Sequence, residues 1–105
     1  MTRTNVCVDN CGFQTRIEAE SSGNGKIKLR ISSGCEDIQK LSEELQEVDP
    51  MELLGQTIDK SMIYQTASRC LKHNGCITPA AIIRTIEVEA GFALPGESTI
   101  SIEKK

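Results

Sequence analysis

The sequence predicts a two-layer α+β fold, in which a small antiparallel sheet is covered on one face by three to four helices. An N-terminal pair of segments has the two-residue periodicity of strands, several later stretches have helical periodicity, and a short alternating segment follows near the C-terminus. The chain has 105 residues, which is the usual size of one domain. We therefore expect residues 1–105 to form a single α+β domain.

The first predicted element is a β-hairpin. Residues 13–20 and 26–31 alternate apolar and polar side chains, and the turn sequence 21–25 joins them. Because the apolar residues are odd-numbered in both segments, the numbers of directly opposed residues must sum to an even value, 46 or 48. Either register places Glu18 and Glu20 opposite basic residues, so the outer face is largely neutralised.

Helical spacing of apolar residues follows the hairpin. Ser33 and Glu36 have the spacing of a capping box in front of the first helix. The pattern then predicts a helix with an apolar stripe from Ile38 to Val48, a short helix opened by Asp49-Pro50, a helix capped by Thr57 that ends at Asn74-Gly75, and a last helix from Thr78-Pro79 to Gly91.

Two further strands are considered. Ile100 and Ile102 alternate with polar residues after the turn Pro95-Gly96, which predicts a closing strand that joins the sheet of the hairpin. Val6 and Val8 flank Cys7, and they form either a short extra strand or a lead-in to the hairpin.

Charge and hydropathy exclude several classes of function. The net charge of −3 has the wrong sign for a nucleic-acid-binding surface. The sequence has no run of 18 apolar residues and no signal-peptide pattern at its start, so we expect no membrane contact and a cytoplasmic location.

The five cysteines are the strongest chemical feature. Cys11 precedes the first hairpin strand and Cys35 follows the second, so a register of 46 places them opposite each other. Cys70 and Cys76 bracket a predicted helix end, with His73 between them. If that helix end packs at the open end of the hairpin, Cys11, Cys35, Cys70 and Cys76 form a thiolate site, with His73 as a substitute or supporting ligand. Such a set suits zinc or an iron–sulfur cluster, although it has no Cys-x2-Cys motif.

Two alternatives stay open. The cysteines pack as small apolar side chains in a non-catalytic interaction domain, which binds an unknown protein partner or a second copy through its sheet edge or acidic helix face. Alternatively, Cys35 is a redox thiol, because a helix N-terminus lowers the pKa of a thiol. Cys7 has no assigned role, and His73 also fits as a cation near a helix C-terminus. The sequence contains no catalytic signature, which favours a protein that is not an enzyme.

Three stretches of the chain resemble a known family. They are Asn10-Cys11-Gly12-Phe13, the segment IQKLSEELQEVDPMELL within residues 35–54, and CITPAAIIRTIEVEAGFALPGESTISI within residues 70–102. They are similar to a small uncharacterised cysteine-containing protein family of methanogenic archaea and other anaerobes. The resemblance implies a cytoplasmic, reducing setting with reduced or metal-bound thiols, and it implies no activity and no catalytic residue.

Overall fold

The computed structural model describes residues 1–7 and 12–105, and in these ranges it contains a four-stranded antiparallel sheet and three α-helices. The strands are β1 (Thr2–Cys7), β2 (Gln14–Ser21), β3 (Ile27–Ser33) and β4 (Glu47–Val48). The helices are α1 (Glu36–Glu44), α2 (Met62–Cys70) and α3 (Thr78–Glu89). Two short 3₁₀ turns, Pro50–Leu53 and Ile58–Lys60, lie between β4 and α2. No helix in the described ranges is long and apolar enough to span a bilayer.

The strand order in the sheet is the order in the chain, β1-β2-β3-β4. In the β2–β3 hairpin Ile17 pairs with Ile31, which confirms the register whose residue numbers sum to 48. Glu18 therefore lies opposite Arg30, with 3.6 Å between its carboxylate and the Arg30 Nε. Its other oxygen accepts a hydrogen bond from Arg3 of β1 at 2.9 Å. Opposite charges thus connect three strands on the solvent face of the sheet.

The predicted composition of the sheet is wrong, because the closing strand does not form. Residues 94–105 contain no strand, and Ile100 and Ile102 are 66% and 85% exposed. The reason is that both edges of the hairpin have other neighbours. β1 pairs with β2 along its whole length, and β4 pairs with β3 at Ile27 and Lys28. The alternation of residues 99–103 was compatible with a strand, but it did not identify a pairing partner.

The core lies between one face of the sheet and the helices. α3 packs on β1 and β2, α1 packs on β3, and α2 contacts both other helices. Burial of each large aliphatic side chain contributes roughly 1.5–3 kcal/mol. The largest fully buried apolar side chains are Ile17, Leu41, Leu45, Ile63, Ile82 and Ile86.

The first helix begins and ends differently from the prediction. Cys35, not Ser33, is its N-cap residue, and the Ser33 hydroxyl instead accepts a hydrogen bond from the Cys35 N–H at 3.1 Å. The helix ends at Glu44, so Val48 belongs to β4. The difference arises because the Ser33 hydroxyl accepts the N–H of Cys35, only two residues later, while the chain is still extended. The helix therefore begins after Cys35.

The structure confirms two of the other predicted helix starts and contradicts one predicted helix. The Asp49 carboxylate accepts from the Met51 N–H at 3.0 Å, with Pro50 opening the first 3₁₀ turn. Thr78 and Pro79 open α3 as expected. The predicted helix from Thr57 to Asn74-Gly75 is wrong at both ends, because Thr57 precedes only the second 3₁₀ turn, while α2 has Ser61 as its N-cap residue and ends at Cys70.

Candidate functional site

Cys70 is a packed, protonated thiol at the end of α2. It is 7% exposed, and its Sγ donates a hydrogen bond to Glu44 Oε2 at 3.0 Å. The other oxygen of Glu44 accepts from Arg69 at 3.0 Å. Burial raises the pKa of the Cys70 thiol, and the neighbouring carboxylate raises it further because it disfavours a second negative charge. This cysteine therefore links α2 to α1 as part of the core.

The remaining predicted ligands are spread over different parts of the chain. Cys35 and Cys76 are half-buried against the core, while His73 is exposed. Cys35 begins α1, and Glu44, the partner of Cys70, lies nine residues later, an axial separation of about 14 Å.

The predicted metal site is therefore not assembled by the residues that the structure describes. Within residues 1–7 and 12–105, no group of three or more cysteine, histidine or acidic side chains could hold a metal ion. Cys11 lies outside the described residues, and the register of 48 removes the reason for placing it opposite Cys35. A zinc or iron–sulfur site thus stays a prediction, which metal and labile-sulfide analysis of protein purified without oxygen would test.

The outer edge of β1 is a second candidate site, because it is open. β1 pairs with β2 on one side, and on its other side none of the described residues forms a strand. In an antiparallel pair, every second residue directs its N–H and C=O away from the partner strand. Natural proteins usually protect such an edge with Pro, Lys, a bulge or a very short strand. β1 has six residues, no Pro and an unbroken register with β2, and its one charged side chain, Arg3, is paired with Glu18 of β2.

The open edge borders a groove of about 600 Å³. This volume is typical of binding sites in proteins. The groove is lined by β1, by α3 residues that include Ala80, Ala81 and Arg84, and by the segment 94–100. Leu94 and Ile100 in that segment are 86% and 66% exposed. The lining therefore combines the edge of β1 with apolar side chains and with a few polar and charged ones.

Contacts with α3 hold β1 in place. The hydroxyl groups of Thr4 and Thr85 form a hydrogen bond at 2.6 Å, and Thr2 donates to Glu89 at 2.7 Å. The second oxygen of Glu89 accepts from the backbone N–H and the hydroxyl of Ser21 at 3.0 and 2.9 Å. β1 is thus fixed both by β2 and by the helix beneath it, and its edge is presented in a defined position.

The groove could not be predicted from the sequence, although the strand-like alternation along β1 was present. Thr2, Thr4 and Val6 lie on the helix-covered face of β1, and Arg3, Asn5 and Cys7 lie on the solvent face. That alternation is strand-like, but threonine replaces the expected apolar residues at two of three inner positions. The inner threonines bind polar groups of α3, a tertiary contact that periodicity cannot show.

The fold and groove define a small α+β domain with an open sheet edge. The chain belongs to a family of unknown function (DUF6951), whose model matches residues 2–102. The match includes β1, α3 and the C-terminal segment as far as Ile102. No curated protein and no solved structure matches the chain at a significant level.

Proposed function

We propose that this protein is a non-catalytic interaction domain that binds an extended segment of protein along the outer edge of β1. The observation that carries the proposal is the unpaired six-residue edge beside a groove that is partly apolar. Strand addition to an exposed edge is a common mode of peptide recognition, in which main-chain hydrogen bonds supply affinity and alternate side chains supply specificity.

The side chains that surround the edge support this mode of binding. Ala80 and Ala81 are short, so they leave space between β1 and the segment 94–100. An added strand would lie 4.7–4.9 Å from β1 and would direct every second side chain toward α3. A bound segment with apolar residues at alternate positions would bury them against Ala81, Val88 and Leu94.

The cellular setting is part of the same proposal. The resemblance to proteins of methanogenic archaea and other anaerobes supports a reducing cytoplasm, in which the cysteines stay reduced. The interaction domain does not require their oxidation or metal binding.

A peptide-display experiment tests the proposal. The full chain selects binders from a library of random ten-residue peptides, and hydrogen exchange then locates the bound peptide. We expect protection of β1 amides and of the α3 residues along the groove. Selection of no peptide, or protection confined to another surface, would contradict the proposal.

A matched pair of variants makes this test specific. Ala80→Glu places a charged side chain in the groove, whereas Ser68→Glu makes the same change in charge at an exposed position of α2. We expect Ala80→Glu to weaken binding at least about tenfold, equivalent to 1.4 kcal/mol, and Ser68→Glu to leave it unchanged. Equal affinities for both variants would show that peptides bind elsewhere.

A further inference from the structure

We propose that the segment Ser98–Ile102 of a second copy of this chain occupies the β1 edge, and that two copies exchange these segments reciprocally. This inference rests on the proposed function, because it names the strand that the edge receives. It applies to a pair of chains and leaves the four-stranded sheet of the single chain as described above.

The segment Ser98–Ile102 resembles a strand in its side-chain pattern but has no strand partner in the single chain. Within Ser98–Ile102, residues 99–102 alternate hydroxyl and isoleucine side chains, the pattern of a strand with one apolar face. In the single chain this segment forms no strand, and Ile100 and Ile102 remain 66% and 85% exposed. The chain therefore contains both an edge without a strand and a strand-like segment without a sheet.

The location of the segment beside the groove also favours its exchange between copies. Residues 94–100 line the groove together with β1 and α3, so the start of Ser98–Ile102 lies close to the kind of site that it would fill in a second copy. In the single chain, no backbone hydrogen bond joins this segment to the described strand β1. A short shift after Pro95-Gly96 would carry Ser98–Ile102 into the groove of a neighbouring copy. Exchange of identical elements is a well-known route to dimers.

The isoleucine face of the segment is complementary to the alanine surface of α3 in the groove. Ile100 and Ile102 share one face of an extended segment, so both can contact α3 near Ala80 and Ala81. Thr99 and Ser101 then point to the solvent side, while Ser98 shares the inner face with the two isoleucines. Reciprocal exchange covers both β1 edges and gives a closed twofold dimer with no edge left at β1 for further growth.

Molar mass in solution is the first test. We expect light scattering to give twice the chain mass of 11.5 kDa at high concentration, with dissociation on dilution. Ile100→Asp and Ile102→Asp should each give a monomer, and because both side chains are exposed in the single chain, the fold should persist. Ile58→Asp is the matched control, since Ile58 is 70% exposed on a 3₁₀ turn remote in sequence, and it should remain dimeric.

A mixed-label experiment distinguishes exchange from pairing within one chain. Copies with ¹³C-labelled isoleucine methyl groups are unfolded and refolded with ¹⁵N-labelled copies. We expect nuclear Overhauser contacts between the methyl groups of Ile100 or Ile102 in one copy and β1 amides in the other.

The outcomes separate this inference from the function on which it rests. A monomer at every concentration, or a dimer unaffected by Ile100→Asp, would overturn the exchange. In either case, selected peptides that protect β1 would still support the interaction domain. If exchange occurs, Ile102→Asp frees the edge without changing a residue that lines the groove, so this variant should bind selected peptides more tightly than the unaltered chain does. An unchanged affinity would also overturn the exchange.

Discussion

The carboxylate of Glu89 joins three elements at the level of single residues. It accepts hydrogen bonds from Thr2 at the start of β1 and from Ser21 at the end of β2, and it belongs to α3. The Thr2 hydroxyl and then the Ser21 donors hold the pKa of Glu89 below its ordinary value of 4.5. The folded state therefore favours the charged carboxylate.

This lowered pKa predicts a pH-dependent stability. Glu89→Gln should lower the free energy of unfolding at pH 7 by about 1–2 kcal/mol, because an amide cannot replace all the bonds that the carboxylate accepts. In the unaltered chain this stabilisation is present above the ordinary pKa of 4.5 and is lost as the pH falls through the lower folded-state pKa. Urea unfolding of both proteins at pH 7 and pH 3 measures the difference.

The control is Glu87→Gln on the same helix. Glu87 forms no side-chain hydrogen bond or ion pair with the residues that the structure describes, so this variant should unfold like the unaltered chain. A loss of stability in Glu89→Gln that is equally large at pH 3 would show that the charge of the carboxylate is not responsible.

The cysteines should differ in reactivity because their surroundings differ. Cys7 is exposed on the solvent face of β1, while Cys70 is buried and its thiol pKa is raised. Since the thiolate is the nucleophile, we expect Cys7 to be alkylated before Cys70 at pH 8. Mass mapping of chains sampled during iodoacetamide treatment gives the order of alkylation, and denaturant should abolish the difference between the two cysteines.

The hypothesis that Cys35 is a redox thiol makes a separate prediction. It requires Cys35 to react faster with iodoacetamide than a free thiol does, and an equal or slower rate would contradict it.

At the scale of single elements, the end of α3 depends on a glycine. The N–H of Gly91 donates to Val88 at 3.1 Å and that of Phe92 donates to Glu87 at 2.8 Å, the two bonds of a Schellman motif. Gly91 has a φ of 82°, in the left-handed region that a side chain disfavours. This geometry directs the chain from α3 toward the groove.

Two glycine substitutions test this explanation. Gly91→Ala should destabilise the protein by about 1 kcal/mol, because alanine is strained at positive φ. Gly96→Ala is the control, since Gly96 has no positive φ and an added Cβ would meet no atom within 4 Å. Thermal unfolding of both variants gives the comparison. Equal effects would mean that the backbone conformation at Gly91 is not the cause.

Sequence reasoning worked for elements whose signals are local. The β2–β3 hairpin, the turn at Asp49-Pro50 and the bounds of α3 at Thr78 and Gly91 each depend on residues close together in the chain. It failed where tertiary pairing decides, because β4 has only two residues, Glu47–Val48, and no periodicity of its own. The groove was missed for the same reason, since it combines β1 with segments more than 70 residues away.

At the scale of the whole molecule, stability comes from an aliphatic core shared by the sheet and the helices. Ile82 of α3 is fully buried in this core. Ile82→Ala should lower the free energy of unfolding by about 2–5 kcal/mol, because it removes buried methylene groups and leaves a cavity. Ile58→Ala, at a 70% exposed position, should change it by less than about 0.5 kcal/mol. Urea unfolding of both variants measures the two effects, and similar losses would contradict the assignment of the core.

The order of elements also has a consequence for synthesis on the ribosome. β1, β2 and β3 are made first and are neighbours in the sheet, so they can pair early as a meander. Their apolar face has no complete cover until α3, the last helix along the described chain, leaves the exit tunnel and packs on β1 and β2. Until then Val6, Ile17 and Ala19 lack this cover, so the unfinished chain exposes an apolar surface of the kind that favours aggregation.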